Sequence, residues 1–80
     1  MMTSKHNNIT SKIGLKIKLL RNKQGLSQEE LAAMAVLSAT SLGAIERGTS
    51  VPGIDTLERI AIALGIELKE LVDVSKIDLD

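Results

Sequence analysis

Gly25-Leu26-Ser27-Gln28-Glu29-Glu30-Leu31-Ala32, followed fourteen residues after Ala32 by Glu46-Arg47-Gly48, is the stretch that decides how this chain folds. Ser27 and Glu30 stand three apart, the spacing of a capping box. The hydroxyl accepts from a free N–H of the first turn, and the carboxylate reaches back to the cap's own N–H. A helix therefore opens after Ser27, with Leu31 and Met34 as its buried side. Ala35, Val36 and Leu37 form a turn, and Ser38 is the next N-cap candidate. A second short helix runs from Ala39 to about Arg47, with Leu42 and Ile45 inward, and Gly48 ends it.

Working outward, residues 1 to 10 read as a flexible polar arm. Thr10 or Ser11 is placed to cap a helix reaching about Lys23. Its residues Ile13, Ile17 and Leu20 recur at i, i+4 and i+7 on one face. Gly25 suits the C′ position that closes it. Beyond Gly48, Thr49 to Gly53 is a loop holding the chain's only proline, Pro52. Another helix covers about Ile54 to Leu64, with Leu57, Ile60, Ala61 and Leu64 as its apolar face, and Gly65 closes it. A fifth, short helix spans about Glu67 to Val72. In the tail, residues 73 to 80, Val74, Ile77 and Leu79 alternate with Asp and Ser, as a strand, a docked tail or disorder would allow. Leu15 and Leu19, four apart, add an apolar patch beside the first helix's core stripe. Covered, it packs under the arm or the tail; exposed, it marks an interface. The expected fold is all-α, a compact five-helix domain over residues 11 to 72.

Eighty residues make one domain with a modest core. There is no cysteine, and no Phe, Tyr or Trp, so Leu, Ile, Val, Ala and Met must fill the interior. The absence of aromatic rings counts against modules that stack RNA bases. Ten basic and ten acidic residues give a formal net charge of zero, which counts against a tight general binder of nucleic acid but leaves room for a local basic face. No apolar run approaches the ~18 residues of a membrane span, and Met1 to Asn8 lacks the apolar core of a signal peptide. A cytoplasmic protein is expected. His6 stands alone in the arm, so no metal site is expected, and no cofactor or small-molecule ligand. There is no phosphate-binding glycine loop, and Asp73, Asp78 and Asp80 read as a solvated acidic tail. No catalytic constellation appears, so the chain is not expected to be an enzyme.

Two capped helices joined by a tight turn are how a small domain lays one helix across a DNA backbone and pushes the next into the major groove. The chain resembles the lambda-repressor-like, XRE-type helix-turn-helix family. The resemblance runs through Ile13-Gly14, Lys16-Ile17-Lys18, Leu20-Arg21, the Gly25–Ala32 stretch, Ser38, Ile45-Glu46-Arg47-Gly48, Pro52, Leu57, Ile60-Ala61 and Ala63-Leu64-Gly65. It implies a transcription regulator that binds double-stranded DNA at a palindromic operator as a homodimer. Phage repressors, restriction–modification controllers and antitoxins share this size.

The resemblance also implies roles. Gln28, with Ser27 and the free N–H groups of the same helix start, stands where the family commonly contacts a backbone phosphate; alternatively it is an exposed residue of good helix propensity. Ala39, Thr40, Ser41 and Ala44 are candidates for base edges, and none offers the two-pronged grip of Arg, Asn or Gln. Thr49 and Ser50 are candidate phosphate contacts. Arg47 either suits the helix dipole or reaches a phosphate. Lys12, Lys16, Lys18 and Lys23 read as a solvated face. Arg21 and Glu46 are expected to form a structural ion pair between the first and third helices. Two departures stand out. Val36 occupies a turn position where the family often has Gly or Asn, because the backbone there favours positive φ. Gly43 belongs to the exposed face of the third helix, inside which it costs about 1 kcal/mol against Ala. The sparse third helix keeps a second reading open: an interaction module, or an antitoxin-like partner, on the same fold with weak DNA binding. The dimer is expected to use Ile66, Leu68, Leu71, Val72 and Val74.

Overall fold

The structure, a computed structural model, describes residues 8–78. Among them lie five helices and no strand: α1 Asn8–Lys23, α2 Gln28–Met34, α3 Ala39–Arg47, α4 Ile54–Leu64 and α5 Leu68–Val72. The expected arm over residues 1 to 7 lies outside the described residues, as do His6, Leu79 and Asp80. Residues 8 to 10 do not belong to an arm, because α1 begins at Asn8. Thr10 and Ser11 therefore sit inside the helix, in a first turn whose N–H groups lack helical partners in any case.

Ile13, Ile17, Leu31, Ala32, Ala35, Leu42, Ile45, Leu57, Ile60, Ala61, Leu64 and Leu71 form one buried aliphatic core. One expected core residue is not in it. Met34 is 53% exposed, while the turn residue Ala35 is fully buried. A seven-residue helix that ends at Met34 turns its last residue outward, and the chain re-enters the core one residue later.

α1 and α3 cross at very close range. A Cβ on Gly14 would fall 2.2 Å from the Ile45 carbonyl oxygen and 2.8 Å from that of Glu46. A Cβ on Gly48 would fall 2.6 Å from Ser11 Oγ. Both glycines are therefore spaces that the two backbones need, and the helix-propensity cost of Gly14 is offset by the contact it permits.

The first four helices end in the same way. At the end of α1, Leu26 N–H donates to the Arg21 carbonyl and Gly25 N–H to that of Asn22, both at 3.0 Å. At the end of α2, Leu37 N–H donates to the Ala32 carbonyl (2.8 Å) and Val36 N–H to that of Ala33 (3.2 Å). The ends of α3 and α4 repeat the pattern. This is the Schellman arrangement, and it needs one residue at positive φ. Gly25, Gly48 and Gly65 supply it three times, at 73°, 78° and 76°. At the fourth site Val36 takes φ 59°, the only non-glycine at positive φ among the described residues. The turn has not adjusted to its β-branched residue; Val36 bears the strain. Its own side chain contributes little burial, being 76% exposed, whereas Leu37 beside it packs on the core.

Long side chains serve carbonyls left over at three helix ends. Arg59 Nε donates to the Ala35 carbonyl at the end of α2 (3.0 Å). Gln24 Nε2 donates to the Leu64 carbonyl at the end of α4 (2.8 Å). Lys16 Nζ donates to the carbonyls of Glu70 and Asp73, so at least this lysine is more than part of a solvated face. The tail as far as residue 78 is neither strand nor loose: Val74 packs on the core, and Ser75 donates to Asp73 Oδ1 from its N–H (3.1 Å) and hydroxyl (2.9 Å). Those bonds hold the Asp73 carboxyl below the usual carboxylate range. The turn is thus supported above that range and loses the support as pH falls through the lowered value. Leu15 is half-buried, and Leu19 stays 51% exposed.

Val36→Gly is expected to stabilise the fold by about 1 kcal/mol, the order of the penalty for an L-residue in the left-handed region. Urea denaturation checks it. A variant no more stable than the parent would mean that the entropy glycine adds to the unfolded chain cancels the relief.

Candidate nucleic-acid interface

The two helices of the decisive stretch are held by one carboxylate. Arg21 Nε donates to Glu46 Oε2 at 2.7 Å and Arg21 Nη2 to Glu46 Oε1 at 3.0 Å, a two-pronged pair between α1 and α3. Both residues are buried, at 8% and 7% exposure. A buried pair needs its remaining donors and acceptors satisfied, and among the described residues no buried side-chain polar atom lacks a partner. Arg21 Nη1 donates to the Leu26 carbonyl (2.8 Å), and Gln28 Nε2 donates to Glu46 Oε1 (3.0 Å). Hydrogen bonding by Glu46 pushes the Arg21 pKa up, against burial, which lowers it. The network thus joins α1, the loop after it, α2 and α3. Its link to Gln28 has no signature in sequence spacing.

The capping expectations correspond to real bonds. Ser27 Oγ accepts from Glu30 N–H (3.0 Å), and Glu30 Oε1 accepts from Ser27 N–H (2.8 Å). Ser38 Oγ accepts from Ser41 N–H (3.0 Å) and donates to Ser41 Oγ (2.9 Å).

The candidate site residues divide into groups. Ser27, Thr40, Ser41 and Arg47 are exposed; Gln28, Ala44 and Ser50 are half-buried. Ala39 is half-buried and packs on the core, so little of its surface faces out. Thr49 is exposed, but its N–H (3.0 Å) and hydroxyl (3.2 Å) both donate to the Ala44 carbonyl. Its donors are already engaged in closing α3. Gly43, read from sequence as part of an exposed face, is buried. The side chains of Arg47 and Gln28 lie over it. No periodicity could have revealed that, because the cover comes partly from another helix.

Among the described residues no cluster of His, Cys, Asp or Glu suited to a metal ion occurs, and no helix is long and apolar enough to cross a membrane. The chemistry of this surface is that of hydroxyls, one amide and one guanidinium on two helices at a fixed angle.

That geometry is the helix-turn-helix, and comparison with known proteins agrees. Residues 17–71 match the helix-turn-helix family HTH_3, and the chain belongs to that family. It is similar to the control protein C.BamHI of Bacillus amyloliquefaciens, 40% identical over 72 residues, with 89% of each chain covered. The crystal structure of the restriction-modification controller C.AhdI from Aeromonas hydrophila matches with a TM-score of 0.76 at 37% identity, over 78% of this chain and 94% of that one. The biofilm master regulator SinR, solved in complex with DNA, matches with a TM-score of 0.72 at 35% identity, over 76% of this chain and 98% of that one. These relatives are regulators, not enzymes.

Glu46→Ala is expected to destabilise the fold by about 1–3 kcal/mol, because it leaves the buried Arg21 guanidinium without its acceptor. Denaturant titration measures this. A change within about 0.5 kcal/mol, the range of ordinary surface substitutions, would deny the pair its structural role.

Proposed function

We propose that the chain is a sequence-specific transcription regulator of the cytoplasm that binds double-stranded DNA at a palindromic operator as a homodimer. The observation that carries this reading is the Glu46 network. It fixes α2 against α3 and leaves Thr40 and Ser41 exposed on the face where a second helix enters a major groove. Gln28, Arg47 and Ser50 then serve the phosphates, while Thr40, Ser41 and Ala44 meet base edges. Ser27 keeps a hydroxyl proton for the backbone. Thr49 and Ala39 act mainly by shaping the ends of α3. Base contacts by such small side chains are few, so DNA shape supplies part of the preference. The likeness to two controllers runs over most of both chains, which favours a controller role among the uses of this fold.

Dimerisation calls for exposed apolar surface. Of the set expected to supply it, Leu71 is fully buried, and Ile66, Leu68, Val72 and Val74 pack on the monomer's own core. Ile54 and Ile62 remain open, at 64% and 69% exposure, two turns apart on α4. We assign the seam to this face of α4.

Two measurements test the reading. Gln28→Ala should weaken binding about equally on a preferred and a scrambled site, whereas Thr40→Ala should weaken mainly the preferred one. Discrimination per base pair should sit at the low end of the usual ~1–3 kcal/mol. If Thr40→Ala and Ser41→Ala leave preference untouched, the interaction-module reading gains. Separately, Ile62→Lys should turn a sedimenting dimer into a folded monomer with weaker operator binding. A dimer that persists puts the seam elsewhere.

A further inference from the structure

Between Gln24 and Glu58 the sequence contains a single Lys or Arg, Arg47. This span holds α2, α3, the loop after α3 and the first turn of α4. It also carries Glu29, Glu30 and Asp55, all exposed, and Glu46, which is engaged by Arg21. Arg47 is therefore the cation that α2, α3 and the loop after α3 themselves supply, while Arg59 of α4 is engaged on the Ala35 carbonyl at the end of α2. Where the Arg47 guanidinium lies is set by what stands beneath it.

Arg47 follows Gly43 by four residues, and side chains on a helix lean toward its N-terminus, over the residue four before. At position 43 there is nothing to lean on. A Cβ built there would sit 3.1 Å from Arg47 Nη1, 3.5 Å from Gln28 Oε1 and 3.7 Å from Gln28 Nε2. The guanidinium of α3 and the amide of α2 thus meet over one bare Cα, and together they bury it. Gln28 is held from behind by Glu46, which takes one of its two amide hydrogens at 3.0 Å and leaves the other to give. Arg47 spends none of its donors on another described residue. The contact at position 43 is with a flexible side-chain end, not backbone, so a methyl group there moves Arg47 without forcing the helices apart.

We infer that Gly43 is a positioning residue: its missing side chain lets Arg47 fold back beside Gln28, and the two side chains form one composite seat for a DNA backbone phosphate. This rests on the DNA-binding reading and specifies its electrostatic anchor. Arg47 supplies the charge, Gln28 a neutral donor locked by Glu46, and Gly43 the space in which they converge. The helix pays for that space in intrinsic stability.

The test is a double-substitution cycle on the full chain. Gly43→Ala, Arg47→Gln and the double variant are compared with the parent by melting temperature and by binding to a mixed-sequence duplex across a salt series. Gly43→Ala should melt higher than the parent, because Ala favours helix, yet bind several-fold more weakly on any sequence. Arg47→Gln should weaken binding and lower the slope of log K against log salt by about 0.9, the value for one phosphate contact. The double variant should bind no worse than Arg47→Gln alone, because Gly43 acts only through Arg47. The proposal is overturned if Gly43→Ala binds as the parent does, if the two losses add, or if Gly43→Ala loses affinity only on a preferred site. Additive losses would mean that the methyl group meets DNA directly. A parent that binds no duplex at low salt would overturn the DNA-binding reading itself, which separates the two failures.

Discussion

Glu46 is a carboxylate with almost no water around it, and it survives there only because three donor groups from two other helices converge on it. Taking a carboxylate out of water is costly, and a single cation rarely compensates unless geometry and further hydrogen bonds are good. Here the guanidinium approaches side-on, and the amide of Gln28 fills a remaining acceptor position. The requirement runs in both directions. To satisfy Glu46, α1 must present Arg21 and α2 must present Gln28, so the angle between α2 and α3 follows from an electrostatic need as well as from the core. Gly14 makes this possible on the other side of the crossing, by letting α1 reach the carbonyls of Ile45 and Glu46.

Much of this was legible in the chain, for local reasons. Ser27 with Glu30, and Ser38 before α3, are short-range signals that encode the helix starts. The glycines at 25, 48 and 65 encode three of the stops. The misfit of Val36 came through likeness to a family, whose members often carry Gly or Asn at that position of the turn. The pairing of Arg21 with Glu46 came through likeness to a family, not through spacing.

What was hidden depends on contacts between elements distant in sequence. Met34 has the right spacing to share a face with Leu31, but the helix stops before that face turns fully inward, and Ala35 takes the place. Gly43 looked like part of an open surface because its cover arrives from α2 and from one turn ahead. Thr49 looked available because nothing in its neighbourhood reveals that its hydroxyl has a carbonyl to serve. The helix ends served by Arg59, Gln24 and Lys16 belong to the same class, as charged or amide side chains from elsewhere in the chain that reach a helix's last carbonyls.

The strained turn also bears on how the motif opens. Val36 is kept at positive φ by the two reverse hydrogen bonds of its turn, by Leu37 on the core and by Arg59 on the Ala35 carbonyl. Once any of these lets go, the stored strain favours release of the others. Fraying residue by residue is therefore disfavoured at this joint, and the end of α2 separates from the start of α3 as a unit. In amide exchange such a segment is expected to open as one cooperative block, with Ala35, Val36 and Leu37 sharing a single opening free energy.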